Sequence, residues 1–76
     1  MTKLKVKLDT INAVKEFVTL TNLCSYDIDL VSGRYVVDAK SLMGIFSLDL
    51  AKPIDLEIFS DDCDDFVNKI KPYIVE

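Results

Sequence analysis

The stretch "DAKSLMGIFSLDL", Asp38 to Leu50, decides how the rest of the chain is read. Its apolar residues follow helical spacing, yet there are more of them than a short helix lying on one surface can bury. Stepping about 100° per residue groups Ile45 and Leu48 with Ser41 and Gly44, and sets Leu42, Met43 and Phe46 roughly 160° away. The first group is predicted to face a core and the second to face water. Ser41 sits where an N-cap belongs, its hydroxyl placed to accept a backbone N–H.

On either side the period changes to two. Upstream, "SYDIDLVSGRYVVDA" sets Tyr26, Ile28 and Leu30 on one face and Asp27 and Asp29 on the other, with Ser32-Gly33 as a turn signal. This predicts a hairpin whose second strand runs from about Arg34 to Ala39. Downstream of Lys52-Pro53, "IDLEIF" puts Ile54, Leu56 and Ile58 inward and Asp55 and Glu57 outward. The opening "KLKVKL" alternates in the same way, with Leu4, Val6 and Leu8 inward and three lysines outward.

Two more segments are helical. Ile11, Val14, Phe17, Val18 and Thr21 make residues 10 to 22 an amphipathic helix, with Asp9 or Thr10 available as N-cap. Cys63, Phe66, Val67 and Ile70 mark a last helix that begins near Ser60 or Asp61 and ends near Lys71, because Pro72 disfavours the helical conformation before it. The order is βαββαβα. Strands with one apolar face predict an α+β fold, a single domain over residues 1–76, with an antiparallel sheet and all helices on one side.

The composition narrows the function. A 76-residue chain buries only roughly 60% of its unfolded surface, which leaves room for a surface site but hardly for a deep pocket. Apolar runs of two or three residues fall far short of the ~20 that span a bilayer, and the alternating N-terminus lacks the pattern of a signal peptide, so the protein is expected to be cytoplasmic. A net charge of −4 argues against binding a phosphate backbone, so nucleic acid is not an expected direct partner.

The chemistry-bearing residues are few. Cys24 and Cys63 have no C-x-x-C spacing and no histidine beside them to complete a zinc site, so both read as free buried thiols in a reducing compartment. "SDDCDD", Ser60 to Asp65, lacks the alternate acids and sixth-position glycine of an EF-hand loop; acids there suit a first helical turn. With no histidine in the chain, no Ser or Cys next to a base and no glycine-rich loop before a helix, neither catalysis, nor a metal, nor a cofactor is expected. What remains is the surplus apolar face: Leu42, Met43 and Phe46 adjacent on one helix form a candidate protein-binding patch, with methionine suited to an adaptable contact. A phosphate on Ser41 would add roughly two negative charges beside that patch.

The segment "VVDAKSLMGIFSLDLAK", Val36 to Lys52, resembles the regulatory-serine segment of HPr, the histidine-containing phosphocarrier of the bacterial phosphotransferase system. The Ala-Lys-Ser-Leu-Met-Gly core carries the likeness; the remainder agrees in element order more than in sequence. The resemblance implies an open-faced sandwich with strand order 1-4-2-3. It also implies that Ser41 stands where HPr kinase/phosphorylase modifies the family's serine. Leu42, Met43 and Phe46 stand where exposed apolar residues dock partners, among them a catabolite-control transcription factor.

One departure bears on function. The family carries a histidine, followed shortly by an arginine, in the loop before its first helix, whereas "LDTINAVKEF" is shorter there and has neither. The expected function is therefore regulation by binding, switched at Ser41, without phosphate transfer from phosphoenolpyruvate. The alternative is an unphosphorylated interaction module that self-associates weakly through Leu42, Met43 and Phe46. Order 1-4-2-3 would also bring Asp27 and Asp29 near Asp55 and Glu57, a like-charge arrangement that destabilises.

Overall fold

The computed structural model describes residues 1–75. Among them are four strands and three α-helices: β1 (Thr2–Val6), α1 (Ile11–Asn22), β2 (Ile28–Ser32), β3 (Tyr35–Asp38), α2 (Leu42–Phe46), β4 (Ile54–Ile58) and α3 (Asp64–Lys69), followed by a 3₁₀ turn at Lys71–Tyr73. The strands form one antiparallel sheet in the order β1-β4-β2-β3.

The register explains why alternation predicts this sheet so well. Leu4 lies opposite Leu56, Leu56 opposite Leu30, and Leu30 opposite Val37, giving one apolar row across all four strands. Ile28, Ile54, Ile58 and Val6 extend that face and are buried. Val14 and Phe17 of α1, Ile45 of α2 and Phe66 of α3 complete the core. Phe17 anchors the helical layer, its ring 6.2 Å from Phe66 and in an edge contact, 6.5 Å, with Tyr73.

The other face carries the charges. One row runs Lys3, Glu57, Asp29, Asp38 and the next Lys5, Asp55, Val31, Val36. Lys3 Nζ is 3.9 Å from Glu57 and Lys5 Nζ 4.0 Å from Asp55, opposite charges paired across the two strands. Asp29, by contrast, has an acid on each side. Burial first, and then Asp38, Glu57 and Asp27, raise its carboxyl above the usual 3.8.

Local chemistry sets the element ends, and here the structure moves several boundaries. β1 stops at Val6, although Leu8 is buried as expected, because the chain beyond turns to meet the C-terminal segment: Lys7 N–H donates to Tyr73 at 2.8 Å and Val75 N–H to Lys5 at 2.9 Å. The hairpin loop is Gly33-Arg34, one residue later than Ser32-Gly33, because Gly33 takes the positive φ of 60° that a two-residue turn requires. Thr10 caps α1 by accepting from Ala13 N–H at 3.0 Å. Ile11, counted on the apolar stripe, is exposed because it opens the helix beyond the edge of the core.

α3 begins at Asp64, later than Ser60 or Asp61, since Ser60 Oγ accepts from Asp62 N–H in a local turn. Asp61 pairs with the N-terminal ammonium at 2.6 Å, which lowers its carboxyl below the usual 3.8. Asp64 and Asp65 occupy the first turn of α3, where acids complement the helix dipole. No helix among the described residues is long and apolar enough to cross a membrane.

Candidate functional site

The short helix α2 is held in place by its neighbours, since five residues are too few to be stable alone. Three bonds tie the turn before it to the end of α1. Buried Thr21 Oγ1 lies 2.8 Å from the Ala39 carbonyl and 2.9 Å from that of Val18, its one proton shared between them. Asn22 Nδ2 donates to Lys40 O at 3.2 Å, and Lys40 Nζ donates to Cys24 O at 3.0 Å. Asp38 closes the same turn, its Oδ1 accepting from Lys40 N–H and its carbonyl from Ser41 N–H.

This strap delivers Ser41 to the N-cap. Its Oγ accepts from Gly44 N–H at 3.2 Å and its carbonyl from Ile45 N–H at 3.1 Å. Gly44 sits where α2 meets β3. A Cβ there would lie 3.4 Å from Val37 Cβ, in ordinary contact, and 3.3 Å from Ser41 Oγ, so that the capping side chain would have to give by a few tenths of an ångström.

The two faces of α2 separate as the spacing predicts, with one refinement. Ile45 and Leu48 are buried; Met43 is 79% exposed and Phe46 39%. Leu42 is only half-buried and packs against the core, so the outward apolar surface is chiefly Met43 with the rim of Phe46. Helix spacing alone missed this because Leu42 starts the helix, where it reaches the flank of the core. Ser41 and Met43 therefore lie within one turn of each other.

The segment before α1 is built differently. Lys7 to Thr10 connects β1 to the helix, and the Thr10 hydroxyl occupies the capping position. No imidazole stands there, because the chain has no histidine. Among the described residues, no three His, Cys, Asp or Glu side chains gather in a group that could hold a metal ion.

A second concavity was not legible in the sequence. An open groove of about 530 Å³ between the end of α1 and the start of α3 brings together Cys24, Tyr26 and Cys63. Cys63 is buried as expected, its Sγ 3.4 Å from Thr2 Oγ1, whereas Cys24, just past the end of α1 with its Sγ 3.6 Å from Leu20 O, is only half-buried. Burial, then Cys24, push the Tyr26 phenol well above its ordinary 10.0. No spacing signal links these residues, since Cys63 is far along the chain and is carried there by α3.

No protein-family model matches the sequence, and no curated protein does. Solved structures do match. HPr-C-His from Thermoanaerobacter tengcongensis superposes with a TM-score of 0.78 at 22% identity, over 95% of this chain and 89% of that one. The phosphocarrier protein HPr from Bacillus anthracis gives 0.68 at 24% identity, over 96% and 95%. The histidine-containing phosphocarrier protein of a mycoplasma gives 0.74 at 14% identity, over 93% and 89%. With this strand order, these helices and near-complete coverage on both sides, the chain has the fold of the HPr phosphocarriers.

Proposed function

We propose that this protein regulates by docking protein partners through the outer face of α2, with Ser41 as the switch. The observation that carries the reading is the pairing of a capping serine with the 79% exposed Met43 on one short helix, in a fold shared with the phosphocarrier protein HPr. A methionine on a surface helix costs water contact without adding to the core, and its flexible thioether suits a protein contact.

Phosphate relay is not part of the proposal. Relay through a histidine needs an imidazole, and the chain has none. A phosphate on Ser41 Oγ would keep an acceptor toward Gly44 N–H while adding roughly two negative charges next to Met43. Partner choice would follow from that change of charge on an otherwise apolar face. The partners proposed are HPr kinase/phosphorylase as the modifying enzyme and a catabolite-control transcription factor as the reader.

Intact-mass analysis after incubation with HPr kinase and ATP tests this, with Ser41→Ala as control and a standard HPr modified in parallel. One phosphate added to the native chain and none to the variant is the expected result. An unmodified native chain beside a modified standard refutes the switch and leaves Ser41 as a helix cap. Met43→Asp then tests docking: it should abolish capture of the transcription factor by the phosphorylated chain while leaving the melting temperature unchanged.

A further inference from the structure

The two edges of the sheet are treated differently. The C-terminal end of β1 is covered by the C-terminal segment, through a bridge between Val6 and Ile74 and the bonds Lys7 N–H to Tyr73 O and Val75 N–H to Lys5 O. Among the described residues, β3 has no such cover. It is short, four residues, but no proline, lysine or bulge interrupts it between Tyr35 and Asp38, and its Tyr35 and Val36 are 70% and 61% exposed.

The backbone groups on that edge follow from the hairpin. A two-residue loop makes Ser32 and Tyr35 a hydrogen-bonded pair, so Tyr35 and Val37 direct their N–H and C=O groups at β2. Arg34, Val36 and Asp38 direct theirs away from the sheet. The same three residues share the sheet's outer face, because Val36 lies opposite Val31 and Asp38 opposite Asp29.

We propose that β3 pairs antiparallel with β3 of a second copy of this chain, about a two-fold axis at Val36. The sequence Arg34-Tyr35-Val36-Val37-Asp38 is self-complementary in that register. Val36 meets Val36 and exchanges both backbone bonds with it. Arg34 of each copy meets Asp38 of the other, at both ends and on the same face, and each Asp38 N–H reaches an Arg34 carbonyl. Arg34 makes no ion pair among the described residues, and Asp38 uses Oδ1 for Lys40 N–H, which leaves its second oxygen for a guanidinium.

On the opposite face Tyr35 packs across Val37 of the second copy, a favourable aromatic and β-branched pair. Charge complementarity singles out a second copy as the occupant. An unrelated extended peptide would need an acid and a base at the same four-residue separation. The pairing is isologous, so it closes at two copies and joins two four-stranded sheets into one of eight. It uses none of Ser41, Met43 or Phe46.

Sedimentation velocity from ~1 μM to ~1 mM tests it, over the range where weak associations are read. The native chain should pass from monomer to dimer. Val36→Lys, which sets two ammonium groups against each other at the axis, should remain monomeric. Arg34→Asp and Asp38→Arg should each be monomeric alone, because each meets like charge at both ends, yet dimerise when mixed one to one. The double variant Arg34→Asp/Asp38→Arg restores opposite charges within a single chain and should dimerise by itself, which keeps the test available if a single variant fails to fold. A native chain monomeric throughout, a dimer that survives Val36→Lys, or one lost on Met43→Asp but not on Val36→Lys would each overturn the proposal.

Discussion

Replacing Thr21 by valine removes one hydroxyl and almost no volume, and the structure assigns that hydroxyl a single indispensable partner. Val18 O also receives Asn22 Nδ2 at 2.8 Å, so it loses little. The buried Ala39 carbonyl, 2.8 Å from Thr21 Oγ1, would be left without a donor. An unsatisfied buried acceptor costs about 1–3 kcal/mol. Taking ~2 kcal/mol, a domain of this size should melt roughly 8–16 °C lower.

Urea unfolding followed by circular dichroism reads the change, with the slope unaltered because no surface is added or removed. Thr21→Ser is the companion variant: it keeps the donor and loses one methyl, for about 0.8 kcal/mol. Amide exchange at Ser41 and Gly44 should quicken in the valine variant, because Ala39 anchors the turn that delivers the cap. Valine within ~0.5 kcal/mol of the native chain, or serine costing more than valine, would refute the view that this bond holds α2 in place.

Two further outcomes follow from charge and burial. Asp29 has a raised carboxyl pKa, so its charged form destabilises the fold above that pKa and the penalty is relieved as pH falls through it, while Asp61, lowered by the N-terminus, stabilises above its unfolded value of 3.8 and loses this as pH falls further. Stability should therefore peak in mildly acidic solution and rise with salt; Asp29→Asn should raise the neutral-pH melting temperature and flatten both dependences, and a variant melting at the native temperature with the same profile would count against the like-charge row. Of the two thiols, half-buried Cys24 should react with Ellman's reagent in the folded protein and buried Cys63 only on unfolding, and two fast equivalents under native conditions would contradict the packing of Cys63 at the start of α3.

Boundaries were the least legible part of the sequence, for reasons that are local and physical. Helix spacing extends α3 back to Ser60, but the Ser60 side chain satisfies the Asp62 amide in a turn, and the N-terminal ammonium holds Asp61. The alternation of Lys3 to Leu8 runs past the end of β1, because Leu8 keeps its place in the core after strand pairing has passed to the C-terminal segment. Leu42 looks as exposed as Met43 on a helical wheel, and only the flank of the core distinguishes them.

The alternation of four strands and the spacing of three helices determined an antiparallel sheet with one covered face, because period two and period 3.6 each leave a single apolar side to bury. The capping serine and the surplus of Leu42, Met43 and Phe46 were equally plain, being properties of one continuous segment. Tertiary structure alone decided what depends on residues distant in the chain. It brought Thr21 to Ala39, gathered Cys24, Tyr26 and Cys63 in one groove, and seated Asp29 between Glu57 and Asp38. It also covered the C-terminal end of the β1 edge and, among the described residues, left β3 without such cover, an asymmetry that no pattern within either strand contains, because an edge is defined by what lies beside it.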